Sequence, residues 1–155
     1  MEKTPAQTYT TMTELVLSSH VNGSNRLFGG QLMSWMDIAG AICARRHSGT
    51  EVVTARVDKM EFVKPANPNE IIILNAKMTW VGNTSMEVKV KVYIEDCNGE
   101  ECAINNCVCK AYFVYVAMDE KGNKVKVPRL KPETQEEIEE LNKGQERAEL
   151  RKSGY

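Results

Sequence analysis

Between Leu27 and Ala44 the chain is almost wholly apolar, and Asp37 is the only ionisable side chain there besides the Cys43 thiol. The stretch opens at a glycine pair, Gly29-Gly30, and carries strong helix formers. It runs into Arg45-Arg46-His47 with Gly49 just beyond, so it reads as a helix over residues 30–47. Its apolar residues surround the axis with hardly a polar face, which requires burial on most sides. A run this apolar could pass for a membrane span, but it contains Gln31, Asp37 and the glycines 29, 30 and 40, and strand-like segments follow it. The rest of the chain must therefore supply a wrapping for one central helix.

Beyond the helix the pattern changes to an alternation of two. Residues 51–63, 71–81, 85–95 and 102–118 read as strands, and β-forming residues over 8–17 predict one more ahead of the helix. Pro65 and Pro68 end the first of the four, and Gly82-Asn83 and Asn98-Gly99 are turn signals between later ones. A strand, a helix and four antiparallel strands make an α+β fold, one long sheet curled around a central helix. We place this domain at 1–127. Residues 128–155 form an extension. Pro128 and Pro132 bracket an extended piece, and Thr134 with Glu137 fits a capping box. Residues 136–152 then read as a charged, solvated helix with a thin stripe of Ile138, Leu141 and Ala148.

Charge and cysteines narrow the partners. The 20 basic residues nearly balance the 21 acidic ones, which gives no basic stripe for nucleic acid or an anionic membrane. The first residues carry no apolar signal core, which points to a cytoplasmic protein with reduced cysteines. Cys97, Cys102, Cys107 and Cys109 lack the paired knuckles of zinc sites, so no metal is expected from them.

A lone acid in an apolar helix is costly unless it has a task. The glycine pair at the helix start leaves backbone N–H groups without partners, unshielded by any Cβ, at the positive end of the helix dipole. Such amides suit a carbonyl oxygen that gains charge, as in acyl transfer. Thioester cleavage fits this sparse equipment, because a thiolate leaves readily and needs no strong general acid. Asp37 can act as base or nucleophile, and Asn22 can position water or the carboxylate. The same residues also allow a purely structural reading, in which Asp37 pairs with a buried arginine and Asn22 caps a turn. Asp37 lies ~12 Å from Gly29 along the axis at about 1.5 Å per residue, too far for one carbonyl to meet both in a single chain. An antiparallel pair of helices across a two-fold axis would bring one chain's Gly29 to the other's Asp37.

The segments HVNGSNRLFGGQLMSWMD (20–37), VTARVDKMEF (53–62), SMEV (85–88) and VPRLKPET (127–134) resemble the bacterial-type acyl-CoA thioesterases of hotdog fold, and each half of the mammalian cytosolic acyl-CoA hydrolases. The resemblance covers roughly residues 10–152. It implies a hotdog domain that docks with a second copy and assembles as a trimer of dimers, acting on acyl-CoA without metal or organic cofactor. It also implies that Asn22 is the catalytic asparagine and Asp37 the catalytic acid, supplied by opposite domains. Gly29 and Gly30 then polarise the thioester carbonyl, and Thr54 and Ser85 are hydroxyls near the substrate. Arg45, Arg46, Lys59, Lys64, Lys77 and Lys110 are available to meet CoA phosphates, and Trp35 and Trp80 read as packing residues. Two other readings stay open: a hotdog dehydratase or hydratase using His20, and a non-catalytic acyl-CoA-binding module.

Overall fold

A computed structural model describes residues 1–97 and 103–154. The turn expected at Asn98-Gly99 and the strand start at residue 102 lie outside them. In chain order come β1 (Glu2–Lys3), the one-turn α1 (Pro5–Thr8), β2 (Thr10–Leu15), a 3-10 turn (Ser18–His20) and the long α2 (Gly29–Ser48). There follow β3 (Glu51–Phe62), β4 (Ile71–Val81), β5 (Ser85–Asp96), β6 (Ala103–Met118), β7 (Arg129–Leu130) and α3 (Gln135–Lys152). The first strand is shorter than expected. Pro5, with its fixed φ, starts a helical turn that occupies the chain up to Thr8.

The main sheet has the order β2-β4-β5-β6-β3, antiparallel throughout. Alternation sorts its faces. Met86, Val88, Val90 and Val92 of β5, with Cys109, Ala111, Phe113 and Tyr115 of β6, point inward and join the core. Against them α2 buries Leu32, Trp35, Met36, Ala39, Cys43 and Ala44. The helix ends at Gly49, whose left-handed φ of 73° lets its N–H reach the Arg45 carbonyl at 2.8 Å. His47 in the last turn is buried and donates from Nε2 to the Pro128 carbonyl at 2.8 Å, so its role is to tie the extension to α2. The bracketed piece after Pro128 pairs with β1 as a two-stranded parallel ladder.

Three expectations are corrected. First, α2 is buried within the chain on fewer sides than its apolar run predicts. Met33 and Ile38 stand 40% and 48% exposed, with Asp37 and Ala41 half-buried beside them at helical spacing.

Second, α3 is no solvated appendage. It lies on the outer face of the sheet, and the docked face carries Glu137, Gly144 and Ala148 while Ile138 stays exposed. Arg147 grips the fully buried Glu87 through Nε at 2.9 Å and Nη2 at 2.7 Å, and Arg151 bridges Glu87 and Asp58. Lys77–Glu137, Lys89–Glu140 and a hydrogen bond from Trp80 to Gln145 complete the contact. Gly144 sits so close to Trp80 that a Cβ there would lie 2.6 Å from the tryptophan Cβ. A polar docking face leaves almost no apolar period to read.

Third, Cys97 is disulfide-bonded rather than a reduced thiol. Cys43 and Cys109 are buried free thiols, and burial pushes both up to about 11.

Candidate active site

Asn22 heads a tight loop between His20 and the helix. Its backbone N–H donates to the Arg26 carbonyl at 2.8 Å, and its Oδ1 accepts the Ser24 and Arg26 N–H groups at 2.9 and 3.2 Å. Asn25 takes the left-handed conformation the loop needs, φ 59°. The side-chain oxygen is thus spent on the loop, while Nδ2 bonds to none of the described residues and the side chain is exposed.

The loop delivers the chain to α2. Phe28 N–H donates to the His20 carbonyl, and the first helical bond runs from Leu32 N–H to the Phe28 carbonyl at 3.1 Å. The amides of Gly29, Gly30 and Gln31 therefore have no intrahelical acceptor. The two glycines are not equivalent. A Cβ on Gly29 would make ordinary contact with Phe62 at 3.9 Å, whereas one on Gly30 would meet the Phe28 ring at 2.6 Å. Beside Gly29 a cleft of about 310 Å³ opens between Leu27, Leu32, Phe62, Val63 and Val108.

Asp37 lies on the uncovered stripe of α2. Thr54 Oγ1 donates to its Oδ1 at 2.7 Å, and the Tyr115 hydroxyl shares its one proton between the same Oδ1 at 3.1 Å and the Asp37 carbonyl at 2.9 Å. Oδ2 accepts from none of the described residues. Thr54 and Tyr115 face each other across β3 and β6, and a register shift just after Thr54 marks a bulge in β3. Burial, with the Asp37 carboxylate beside it, pushes the Tyr115 phenol far above the ordinary tyrosine range, so its hydroxyl stays protonated and donating.

Of the residues singled out in the sequence, Thr54 and Asp37 are brought together, and Asn22, Gly29 and Gly30 share the entrance to α2. Ser85 is not joined to either group. It sits at the β4–β5 turn, where a Cβ on Gly82 would meet its Oγ and the Trp80 ring. His20 has a local task. Its Nδ1 accepts the Leu17 N–H at 3.0 Å, and its ring meets Trp35 edge-on at 4.9 Å. Trp35 and Trp80 are both buried packing residues. Among the basic candidates, Arg46 is engaged with Thr10 and Lys77 with Glu137, while Lys64 borders the cleft beside Gly29. Tyr115 was not singled out in the sequence. Its signal was Gly40, a glycine inside a helix one turn beyond Asp37, where a Cβ would collide with the Tyr115 hydroxyl.

Comparison with known proteins agrees with this geometry. The thioesterase superfamily matches residues 24–101. The uncharacterized acyl-CoA thioester hydrolase YkhA of Bacillus subtilis is 38% identical, over 97% of this chain and 89% of its own length. The acyl-CoA hydrolase of Staphylococcus aureus, solved with butyryl-CoA, CoA and CoA disulfide, superposes with a TM-score of 0.90 at 30% identity, covering 99% of this chain and 92% of that one. Three variants of that hydrolase replace an aspartate, an asparagine and a threonine by alanine, spaced along its chain as Asp37, Asn22 and Thr54 are here. A hexameric acyl-CoA thioesterase gives a TM-score of 0.91 at 30% identity over 99% of this chain and 96% of its own. With its curved antiparallel sheet around a long helix, this chain belongs to the thioesterase superfamily, among the hotdog-fold acyl-CoA thioester hydrolases.

Proposed function

We propose that the protein hydrolyses acyl-CoA to free fatty acid and CoA in a site that each chain completes with a second copy of itself. The observation that carries this reading is the Asp37 carboxylate. Among the described residues it is held by Thr54 and Tyr115 through Oδ1 alone, and it lies half-buried on α2 between the exposed Met33 and Ile38.

The thioester carbonyl oxygen accepts from the unpaired Gly29 and Gly30 amides, which stabilise the charge it gains. Asp37 Oδ2 of the opposite chain takes a proton from water as the water oxygen adds to the carbonyl carbon, with Asn22 Nδ2 orienting that water. The tetrahedral intermediate then breaks its carbon–sulfur bond, and the CoA thiolate leaves with the proton that Asp37 holds. The apolar cleft beside Gly29 suits an alkyl chain. No step calls for a metal or organic cofactor.

The need for two copies rests on distance and on uncovered surface. Gly29 and Asp37 are ~12 Å apart along one helix. Among the described residues Met33 and Ile38 of α2 and Val53 of β3 are exposed, and β3 lies at the edge of the sheet. A long open edge is a liability that self-pairing removes. Hexameric relatives support a trimer of such dimers, and we place the enzyme in the cytoplasm, in fatty-acid metabolism.

Thiol release from short to long acyl-CoAs, measured side by side for wild type and Asp37→Asn, tests the reaction. Release that collapses in the variant supports it. Binding without release would instead mark a non-catalytic module. The shared site is tested by co-assembling Asn22→Ala with Asp37→Asn chains. A mixed dimer has one doubly damaged and one intact site, and random pairing makes about half of the dimers mixed, so about a quarter of wild-type activity should return. No recovery would place each site within a single chain. Enoyl-CoA hydration that depends on His20 would revive the dehydratase reading, which the structural engagement of His20 opposes.

A further inference from the structure

We infer that Tyr115 is a positioning residue for the reaction, fixing the Asp37 carboxylate so that one oxygen is immobilised and the other is presented, and that Gly40 exists to admit its hydroxyl. The inference rests on the reading of Asp37 as the reacting carboxylate.

Tyr115 stands on the inner face of β6 and is fully buried. Its hydroxyl crosses to α2 and bridges two oxygens of the same residue, the carbonyl and Oδ1 of Asp37. A rigid ring that bonds both main chain and side chain of one residue fixes the backbone position and the side-chain rotamer together. Thr54, its neighbour across the strand pair, donates to the same Oδ1 from the other side. With both donors on Oδ1, Oδ2 is left for chemistry and cannot exchange places with its twin without breaking two bonds.

Packing alone would not select this tyrosine. Phe113, the preceding inward residue of β6, stacks nearly parallel to it at 6.2 Å and fills its place without a hydroxyl. Glycine is among the worst residues for a helix interior, yet α2 carries one at position 40. A Cβ there would collide with the Tyr115 hydroxyl and lie 3.1 Å from Cε2 and Cζ. The glycine keeps open the space through which the hydroxyl reaches Asp37. Burial keeps that hydroxyl protonated, so it remains a donor at any working pH.

Loss of a hydrogen bond to a charged group corresponds to about a 10- to 100-fold change, and a positioning role places it in kcat rather than KM. The test is steady-state thiol release by the assembled enzyme as wild type, Tyr115→Phe, Gly40→Ala, the double variant and Asp37→Asn. Tyr115→Phe should keep its assembly, lower its thermal midpoint by only a few degrees, keep KM within about twofold, and lose about 10- to 100-fold in kcat. Gly40→Ala should lose a similar factor alone and much less when added to Tyr115→Phe, since the hydroxyl it displaces is already gone. If Asp37→Asn is inactive while Tyr115→Phe keeps wild-type kcat, or if the two losses simply multiply, the positioning role is wrong. A Tyr115→Phe protein that fails to assemble would assign the hydroxyl to stability and overturn the inference equally. An active Asp37→Asn enzyme would instead remove the reading of Asp37 on which the inference stands.

Discussion

Replacing Arg147 by methionine removes the guanidinium that grips Glu87, and the structure sets the size of the effect. Glu87 is 0% exposed and accepts from Arg147 at 2.7 and 2.9 Å. Removing one partner of such a buried pair costs about 3–5 kcal/mol, because the remaining charge is left without compensation. Here Thr79 stays on Oε1 at 2.7 Å and Arg151 near Oε2 at 3.3 Å, and methionine keeps contact with the Tyr112 ring under the guanidinium. We therefore expect the lower end, about 3 kcal/mol. In urea, with a slope of about 2 kcal/mol per molar, that is a midpoint shift of about 1.5 M. Protomer concentration is held fixed because assembly contributes to stability. The double variant with Glu87→Met should regain most of the loss, since an apolar pair of similar volume carries no desolvation penalty. Turnover of the folded single variant should be near normal, because this network lies on the sheet face away from Asp37. A loss under about 1 kcal/mol, as for an exposed ion pair, or a double variant no better than the single one, would refute the reasoning.

Other consequences can be checked as directly. Burial, the largest influence on His47, lowers its proton affinity below the ordinary 6.5, so the unfolded chain takes up a proton first and stability falls as pH drops below about 6.5. Thermal midpoints between about pH 7 and 5 should decline less steeply in His47→Gln; equal slopes would contradict the assignment. The lowered carboxyls of Glu137 and Glu140 lose their contribution in a separate window, below their ordinary 4.5. Gly29→Val should fold, given the space beside Phe62, yet lose turnover as its side chain crowds the exposed amide. Gly30→Val would confound that result by displacing Phe28, so the comparison belongs at position 29. His20→Ala should keep thioesterase activity while lowering the thermal midpoint, through loss of its bond to Leu17 and its contact with Trp35; abolished turnover in a folded variant would argue for a chemical role.

The four strands after the central helix were legible through their alternation, and the helix through its length, its helix formers and Gly49, whose left-handed cap ends it. The α3 contact was not legible. Its docked face is built from Glu137, Gly144, Arg147 and Arg151, and ion pairs with distant strands leave no trace in a hydrophobic pattern. Arg147 and Arg151 read as ordinary solvated charges until Glu87 is found facing them. The uncovered stripe of α2 was hidden for the opposite reason. Exposed apolar residues such as Met33 and Ile38 look the same in sequence as buried ones.

What the sequence determined by itself was local: the helix, the alternating strands, the loop at Asn22, the open amides after Phe28 and the isolation of Asp37. These follow from residue spacing and backbone chemistry, which act over a few positions. Only the tertiary structure decided which groups meet Asp37. Thr54 and Tyr115 are far from it along the chain, and they converge on one carboxylate oxygen because β3 and β6 are neighbours in the sheet and Gly40 leaves room at the helix. Convergence of that kind depends on strand order and register, and these are set by how the whole chain packs around α2.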